Sequence, residues 1–288
     1  MACGIVIVDK PEGWTSQDVA AKLRGVFREK RIGHGGTLDP MATGVLPIFV
    51  GRATRAVEFF ESAEKEYVAG LRLGLTTNTQ DTTGETLEER DCTVGRAELE
   101  AALARFTGTI SQVPPMYSAV KIGGQKLYEL ARKGREVERK PREITVYELE
   151  LLEGGGRDFL LRIRCSKGTY VRTLCHDIGR ALGCGGCMSS LRRTKAGRFT
   201  LAESVKLAEL TAAAEPGAWL LPVDTLFADL PALTLTAAQV KPCRNGAAIP
   251  MGTPGRGRCR VYGPDGEFLM VGRWERDRLW TEKSFFEV

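Results

Sequence analysis

The sequence predicts an α+β protein, with a mixed, largely antiparallel sheet flanked by helices in a large N-terminal domain and a small C-terminal β-barrel. Apolar, β-branched runs alternate with segments of helical periodicity as far as residue 182. The composition changes over residues 211–230, and about 60 C-terminal residues form short strands broken by Gly and Pro. We therefore expect domains at residues 1–228 and 229–288.

The individual elements follow from local patterns. Residues 4–9 (GIVIVD) are β-branched and are followed by Pro and Gly, which predicts a strand and a turn. Thr15 or Ser16 then caps a helix from Asp18 to Phe27. The later elements are predicted as a loop at 30–47, a strand at 66–73, a polar loop at 76–84, helices at 96–105 and 125–133, strands at 144–153 and 158–165, and a helix at 170–182.

Composition bounds the class of protein. Hydrophobic residues make up 43% of the 288 residues, which excludes a largely disordered chain. The formal net charge of +5 suits a polyanionic partner but is equally typical of an ordinary basic protein. No apolar run approaches the ~20 residues of a membrane span, and the eight irregularly spaced cysteines predict reduced thiols in a cytoplasmic protein.

The segment at 33–47, GHGGTLDPMATGVLP, carries the strongest local signal of chemistry. Its glycines let a backbone approach a ligand closely, and its one carboxylate, Asp39, is followed by a rigid proline. A plain Asp-Pro turn explains the pattern equally well. The segment 165–173, CSKGTYVRT, adds Tyr170 and Arg172 at the start of a helix that follows a strand. An arginine beside a buried aspartate would lower its pKa and keep it ionised.

Five blocks together resemble the bacterial TruB-type tRNA pseudouridine synthases. They are GIVIVDKPEGWTS (4–16), GHGGTLDPMATGVLPIFVGRATR (33–55), KEYVAGLRLG (65–74), VPPMYSAVKIGGQKLYELARKG (113–134) and CSKGTYVRTLCHDIGRALG (165–183). The resemblance covers residues 4–200 in order. It implies an enzyme that isomerises uridine 55 in the TΨC loop of tRNA to pseudouridine.

The resemblance also implies roles for individual residues. Asp39 matches the catalytic aspartate, and Arg172 matches the arginine that pairs with it. Tyr67 matches the tyrosine that stacks on the target base. His34 matches the histidine that helps displace the target nucleotide, and Leu191 matches an apolar residue that lines the pocket. Without the resemblance, a tyrosine on a strand is most simply a core aromatic and a lone histidine is most often structural.

Other positions support the site in this comparison. Lys10 and Pro11 match a block that supports the active-site loop, and Asp81 matches a polar loop residue near the site. Tyr170 is expected to contact substrate because it lies in the same block as the pairing arginine. Asn78 departs from the family pattern, where aspartate is expected, so its role is open. The segment CGGCM also adds a second cysteine that the family pattern does not explain.

Two further regions are expected to contact RNA. The insertion at about 113–142 is basic and partly helical, which suits a flap that grips an RNA loop, although most charge runs are simply solvated faces. Residues from about 230 to 288 resemble a PUA domain in size and pattern, including NGAAIP. The implied partner is the TΨC stem-loop of tRNA, with no protein partner required, a monomeric state and no membrane association.

The chemistry needs little beyond one carboxylate. Pseudouridine formation breaks the N1–C1′ bond, turns the detached uracil and rejoins it through C5, with no redox change and no cofactor. An ionised carboxylate could act as a nucleophile or as a general base, and the sequence leaves both routes open. Extruding the base costs a few kcal/mol, and stacking on an aromatic side chain returns about 1–3 kcal/mol.

Alternative classes lack their own signatures. A four-cysteine zinc site usually shows two knuckles, and this chain has only Cys184–Cys187, so we expect no metal site. Nucleotide-binding glycine motifs and the G-x-S-x-G of serine hydrolases are absent. The main competitor is a non-catalytic RNA-binding protein or tRNA-folding chaperone, which would have no need of Asp39. A guide-RNA-dependent relative is disfavoured by the 113–142 insertion, which resembles that of the stand-alone enzymes.

Overall fold

The computed structural model describes residues 2–286, and its architecture confirms the predicted α+β class. The helices are α1 Ser16–Phe27, α2 Val57–Phe60, α3 Arg96–Ala104, α4 Leu127–Ala131, α5 Val171–Ala181, α6 Leu207–Ala212 and α7 Ala237–Arg244. The strands are β1 Gly4–Lys10, β2 Ile32–His34, β3 Thr43–Val50, β4 Lys65–Leu73, β5 Leu75–Thr77, β6 Thr86–Glu89, β7 Gly108–Gln112, β8 Lys121–Ile122, β9 Gln125–Lys126, β10 Arg142–Gly155, β11 Asp158–Cys165, β12 Gly186–Ala196, β13 Phe199–Thr200, β14 Val205–Lys206, β15 Ala232–Thr234, β16 Ile249–Pro250, β17 Arg258–Tyr262, β18 Phe268–Glu275 and β19 Arg278–Ser284.

The main sheet is mixed and largely antiparallel, as the sequence predicts. Its path within the described residues is β14-β1-β3-β12-β4-β11-β10-β7, with β2 paired to β3 and β13 paired to β12. The β1–β14 and β3–β12 pairs are parallel, and the other described pairs of this sheet are antiparallel. Strands from distant parts of the chain therefore meet at the centre, where β3, β12 and β4 lie side by side.

The strand β1 is buried on both faces, which explains its continuous β-branched sequence. Val6 and Val8 belong to the larger hydrophobic cluster, whereas Ile5 and Ile7 belong to the second cluster on the opposite face. All four side chains are at most 1% exposed. A strand that alternates between two cores needs no polar positions, so its run of apolar residues carries no period-2 signal.

The helix α1 forms as the sequence predicts. Thr15 is its N-cap and makes a capping box with Asp18, which satisfies backbone N–H groups that have no partner inside the helix. Val19, Leu23 and Phe27 form its buried face, at the 3.6-residue spacing of an amphipathic helix. The helix thereby fixes the chain that precedes the segment carrying Asp39.

The prediction of an uninterrupted loop at residues 30–47 was wrong. The strand β2 and the first residues of β3 lie inside that range. The strand β2 pairs in antiparallel register with the last three residues of β3, at positions 48–50. Its Gly and Pro residues are typical of turns, but Pro47 sits within β3 opposite Ile7 of β1. The apolar content of GVLPIFV outweighs the proline because nearly all of these side chains are buried between neighbouring strands.

The strand β12 was not anticipated from the sequence. Its residues, GCMSSLRRTKA, are too polar to predict a strand at the centre of a sheet. It nevertheless pairs with β4 along its length and with β3 near Arg192. Register shifts between Met188 and Ser190 and between Arg193 and Lys195 interrupt the regular alternation of side chains. Sequence periodicity was therefore uninformative here.

The basic insertion is a hairpin followed by a short helix. Gly123 and Gly124 connect β8 to β9 and both have positive φ, as a two-residue type I′ turn requires. The helix α4 covers Leu127–Ala131, so it is shorter than the predicted 125–133. Its apolar residues Leu127 and Leu130 are buried, which fixes the hairpin to the body of the protein.

The C-terminal sheet has the order β15-β17-β18-β19-β16 and curls around its own hydrophobic cluster. Its strands match the short strands expected in this region, and β15 and α7 were not anticipated. Phe227, Val271 and Phe285 also join the cluster that contains Ile5 and Phe49 of the main sheet. The C-terminal sheet is therefore packed against the main sheet through an apolar interface. Of the described helices, none has the length and apolar character needed to cross a membrane.

Candidate active site

The segment between β2 and β3 holds Asp39 through contacts on both sides. Ser16 at the start of α1 accepts a hydrogen bond from Leu38 N at 2.8 Å. Gly13 N donates to Pro40 O at 2.8 Å, and Ala42 N donates to Asp39 O at 3.0 Å. These backbone contacts to residues before and after Asp39 hold the carboxylate in one place.

Glycine is required in this segment for close packing. A Cβ on Gly35 would lie 2.6 Å from the ring of Phe60, and a Cβ on Gly44 would lie 2.2 Å from the carbonyl oxygen of Arg193. Gly44 also has a φ of +102°, a conformation that other residues rarely adopt. The glycines therefore bring the loop close to β12 and the underlying aromatic core.

Asp39 and Arg172 form an ion pair, as the sequence predicts from segments 133 residues apart. Arg172 Nε lies 2.9 Å from Asp39 Oδ2, and a second guanidinium nitrogen donates to Asp39 Oδ1 at 3.2 Å. The side chain of Arg172 is 7% exposed, whereas that of Asp39 is 35% exposed. The arginine is thus buried behind the carboxylate, and the carboxylate remains open to a ligand.

Three further contacts fix the Arg172 guanidinium. It donates to Thr79 O at 3.1 Å and to Tyr117 O at 2.8 Å. It also lies 3.7 Å from Asp81 Oδ2. Arg172 therefore connects four parts of the chain: the Asp39 segment, the 78–85 loop, the basic insertion and the first turn of α5.

Asp81 organises the loop between β5 and β6. Its Oδ1 accepts hydrogen bonds from Thr79 Oγ1, Thr83 N and Thr83 Oγ1, at 2.5–3.0 Å. Its other oxygen faces Arg172. Asn78, where the family pattern has aspartate, accepts from Glu85 N and donates to the Glu85 carboxylate across the same loop. Asn78 therefore closes the loop and lies outside the Arg172 ion-pair cluster.

Tyr67 is placed on β4 beside a second buried arginine. Its side chain is nearly buried, and burial raises the pKa of its hydroxyl group. The charge of Arg193 and its hydrogen bond to Tyr67 lower this pKa, whereas the Asp39 charge raises it. Leu191 lies opposite Ala69 in the adjacent strand and belongs to the same hydrophobic cluster as Tyr67. Tyr67 therefore lies near Asp39, and Leu191 packs in the same hydrophobic cluster on the neighbouring strand.

Arg193 is the functional-site residue that sequence reasoning missed. Its side chain is 1% exposed, and it donates to Val45 O at 2.7 Å and to Gly36 O at 3.2 Å. It thereby ties the Asp39 segment to β12 and to Tyr67. The signal available in the sequence was the second arginine of SSLRR, but a charged residue in a polar stretch is usually solvated.

His34 and Tyr170 occupy the edges of the site. His34 ends β2, and its buried Nδ1 atom has no hydrogen-bond partner among the described residues. Burial and the nearby Arg193 charge lower its pKa, so the imidazole is neutral at pH 7. Tyr170 is the N-cap of α5. Its backbone N donates a hydrogen bond to Gln112 Oε1, and its backbone O accepts one from Gln112 Nε2. Gln112 thus orients the turn that delivers Arg172.

Arg172 lowers the pKa of Asp39, as expected, but the net shift of that pKa is upward. Burial raises the pKa of Asp39 above its ordinary value of 3.8, and this effect outweighs the opposing charge of Arg172. The nearby Asp81 carboxylate raises it further, while Lys10 lowers it. The cations around Asp39 therefore limit the cost of ionisation in a poorly solvated site.

Lys10 holds the Asp39 segment through hydrogen bonds to backbone carbonyl oxygens. Its side chain is fully buried, and Nζ donates to Pro11 O at 2.8 Å, Trp14 O at 2.6 Å and Pro40 O at 3.2 Å. These three acceptors use all three protons of an ammonium group. Burial lowers the pKa of Lys10 to about 8, with an opposing contribution from Asp39. At neutral pH the group is thus a charged clamp on the loop.

We expect Lys10→Met to lower the free energy of unfolding by about 2 kcal/mol at pH 7, because three buried hydrogen bonds are lost. The folded-state pKa of about 8 lies below the ordinary 10.5. The wild-type protein therefore gains stability from this group as the pH rises above about 8, and the difference from Lys10→Met widens. Urea denaturation at pH 7 and pH 9 measures both effects.

Lys22→Met, at an exposed position of α1, is the control and should change stability by less than about 0.5 kcal/mol. An unchanged stability of Lys10→Met at pH 7 would contradict the clamp.

No group of three or more His, Cys, Asp or Glu side chains within residues 2–286 is arranged to hold a metal ion. The cysteines of the C-x-x-C segment also separate. Cys187 is buried on β12, whereas Cys184 lies in the preceding turn and contacts Cys92. The described site therefore consists of one partly open carboxylate, its guanidinium partner, a tyrosine and apolar side chains.

Comparisons with known proteins agree with this fold and identify the family. The family model described as TruB family pseudouridylate synthase (N terminal domain) matches residues 24–171. The model described as tRNA pseudouridylate synthase B C-terminal domain matches residues 172–228. Among curated relatives, tRNA pseudouridine synthase B of Pseudomonas putida (strain F1) is 45% identical over 281 residues, covering 95% of this chain and 92% of that protein. The protein of the same name from Dehalococcoides mccartyi (strain CBDB1) is 42% identical over 288 residues, covering 98% and 96%.

Solved structures show the same fold. A chain from the structure of an H/ACA RNP bound to a substrate RNA containing 2′-deoxyuridine superposes with a TM-score of 0.73 at 27% identity, covering 99% of this chain and 85% of that chain. A chain of a Cbf5–Nop10–Gar1 complex superposes with a TM-score of 0.73 at 29% identity, covering 98% and 85%. The fold, the matched models and the ion-paired carboxylate define a pseudouridylate synthase, an RNA-modifying isomerase. Within that class, the chain belongs to the TruB family.

Proposed function

We propose that this chain converts uridine 55 in the TΨC loop of tRNA to pseudouridine, with Asp39 as its catalytic carboxylate. The observation that carries the proposal is the Asp39–Arg172 ion pair, at 2.9 Å, in which the arginine is buried and the carboxylate is partly open. The relatives from Pseudomonas and Dehalococcoides are named for action on tRNA, which supports the same substrate class.

The reaction starts with the target uridine outside its base stack. The N1–C1′ bond breaks, the uracil turns, and a new bond joins C5 to C1′. The proton on C5 is then lost and N1 carries a proton, so the product is an isomer of the substrate. In these reaction steps Asp39 acts as a nucleophile or as the base that removes a sugar proton. Both routes need the ionised carboxylate, which Arg172 and Lys10 favour against the effect of burial.

The neighbouring side chains hold the displaced base. Tyr67 offers its ring for stacking, which contributes about 1–3 kcal/mol per base, and Leu191 supplies an apolar wall. His34, neutral at pH 7, helps displace the nucleotide and can accept or donate a hydrogen bond through its unpartnered ring nitrogen. Together they offset part of the cost of extruding the base.

The remaining predicted residues act through others. Lys10 holds the backbone beside Asp39, and Asp81 holds the loop whose Thr79 carbonyl accepts from Arg172. Tyr170 is the N-cap of α5, two residues before Arg172, and we propose that its partly exposed side chain contacts RNA. These residues position the reacting groups, so their loss should lower the rate without removing the carboxylate.

Two surfaces are proposed to grip the RNA. The insertion at about 113–142 carries eight basic residues from Lys121 to Arg142 with few acidic ones, and its Tyr117 carbonyl contacts Arg172 directly. RNA that binds the insertion and shifts its backbone would therefore also shift Arg172, the cationic partner of Asp39. The PUA-like domain at 229–288 supplies the second surface. We propose a cytoplasmic monomer that needs tRNA but no protein partner, guide RNA or cofactor.

The decisive experiment uses the purified full chain and one unmodified tRNA transcript, without guide RNA or other protein. Pseudouridine is then mapped by nucleotide position. We expect one stoichiometric modification at position 55 and none in a transcript with cytidine at that position. Modification elsewhere would contradict the assigned site, dependence on a guide RNA would favour the RNP-type mode of its structural neighbours, and binding without modification would favour a tRNA chaperone.

A further inference from the structure

Two cysteines far apart in the sequence meet at the edge of the larger hydrophobic cluster. Cys184 lies in the turn between α5 and β12, and Cys92 lies between β6 and α3. Their sulfur atoms are 3.1 Å apart, although the residues are separated by 92 positions. Both side chains are half-buried against the larger hydrophobic cluster.

The geometry points to a reversible oxidation site: Cys92 and Cys184 form a disulfide by exchange with a low-molecular-weight disulfide such as oxidised glutathione. The two sulfur atoms need to approach by only about 1 Å to reach the ~2.05 Å of a disulfide bond. This site is independent of the proposed uridine chemistry, because neither thiol contacts Asp39 or Arg172 in the described structure.

Hydrogen bonds hold the two backbone segments that carry the pair close to each other. Gly74 N donates to Gly185 O at 2.9 Å, and Arg90 N donates to Gly74 O at 2.8 Å. The Arg90 side chain also donates to Gly183 O at 3.1 Å. The segment that ends at Cys92 and the turn that contains Cys184 are therefore joined directly by one hydrogen bond and through Gly74 by two more.

The exchange proceeds in two balanced steps. The Cys92 thiolate attacks oxidised glutathione, which forms a mixed disulfide and releases one glutathione thiolate. Cys184 then loses its proton and attacks the Cys92 sulfur, which releases the second glutathione. Burial, together with the neighbouring Cys92, raises the pKa of Cys184 to about 11. Cys184 is therefore assigned the second step, and closure should become faster as the pH rises from 7 to 9.

The disulfide would join two segments that each continue into a part of the chain around Arg172. The segment before Cys92 carries the 78–85 loop, whose Thr79 carbonyl holds Arg172. The turn at Cys184 follows α5, which bears Arg172 in its first turn. Cross-linking a loop of this length restricts the unfolded chain strongly, and we expect the melting temperature to rise by roughly 5–10 °C.

The remaining cysteines differ from this pair in their access to a small disulfide. Cys175 and Cys187 are fully buried, so a small disulfide cannot reach them without opening the fold. Cys3 is exposed and lies outside the pair, so Cys3→Ser is a control that preserves the proposed reaction. Cys92→Ser and Cys184→Ser each remove one partner and should leave reduced-state activity within about twofold, because neither residue contacts the proposed reacting groups.

The test equilibrates the full chain in buffers of defined glutathione ratio, blocks free thiols and maps tryptic peptides by mass. We expect a Cys92–Cys184 cross-link, lighter by two hydrogens, in the wild-type and Cys3→Ser proteins, reversed by dithiothreitol together with the melting-temperature increase. Both serine variants should lack the shift. A glutathione adduct on Cys92 that never closes, cross-links between other cysteines, or a cross-link without increased melting temperature would each overturn the proposal. The wild-type peptide map decides the question even if a serine variant folds poorly.

Discussion

Asp39→Asn is expected to lower the rate of pseudouridine formation by at least ~10³-fold while leaving the Kd for tRNA within a few fold. Asparagine has nearly the same shape and can still accept a hydrogen bond from Arg172. It cannot, however, act as an ionised nucleophile or take up a proton at neutral pH. The effect should therefore appear in the single-turnover rate rather than in binding.

The measurement pairs a single-turnover assay on unmodified tRNA with an equilibrium binding assay on the same preparation. Asp229→Asn is a matched control, because Asp229 is exposed. Its rate should match that of the wild-type protein. A substantial rate in Asp39→Asn would remove Asp39 from the chemistry, whereas an equal loss of binding and rate would assign it to recognition of RNA.

Arg172→Met is expected to lower both stability and activity. The substitution removes the countercharge from Asp39 and from the nearly buried Asp81, together with hydrogen bonds to Thr79 O and Tyr117 O. Loss of one partner from a buried ion pair costs about 3–5 kcal/mol, and the partial exposure of Asp39 places the expected value at the lower end of that range. Activity should fall on the order of 10²-fold or more, since the carboxylate loses its fixed position.

The pH dependence of the reaction rate is a second, independent test of Arg172→Met. Burial already raises the pKa of Asp39 above 3.8, so we expect the wild-type protein to lose activity as the pH falls through that raised pKa. The guanidinium opposes this increase, and its removal should therefore move the acid limb to higher pH. The raised pKa also means that ionised Asp39 costs folding stability, and that this cost is relieved as the pH falls.

The matched control for Arg172→Met is Arg72→Met. Arg72 pairs with Asp158 at 2.8 Å, but both side chains are substantially exposed, so its loss should cost no more than about 1 kcal/mol. Urea denaturation and pH–rate profiles on both variants separate a buried ion pair from a general effect of charge. An Arg172→Met protein as stable as Arg72→Met, with an unshifted acid limb, would contradict the assigned role.

The elements that sequence patterns predicted are those whose structure is set locally. The capping box at Thr15 and Asp18, and the spacing of Val19, Leu23 and Phe27, specify α1 through contacts within four residues along the chain. The strand β11 was equally clear because its side chains alternate between buried and more exposed positions. Such signals do not depend on which distant segment lies opposite.

The missed elements depend on distant partners. The polar strand β12 lies between β3 and β4, and its Arg193 is buried because carbonyl oxygens from the Asp39 segment and β3 accept its protons. The strand β3 tolerates Pro47 because its other residues are enclosed by β1 and β12. Burial of this kind arises from long-range pairing, so the composition of the segment alone does not predict it.

The same division applies to the site. Motif blocks in the chain were sufficient to identify Asp39, Arg172, Tyr67 and Lys10 as residues to examine, because their chemistry is a property of each side chain. The fold sets the distance from Asp39 to Arg172, the burial that raises the carboxylate pKa, and the meeting of Cys92 with Cys184. Solvation and charge interactions depend on separations in space, and for residues more than ninety positions apart those separations exist only once the sheet has assembled.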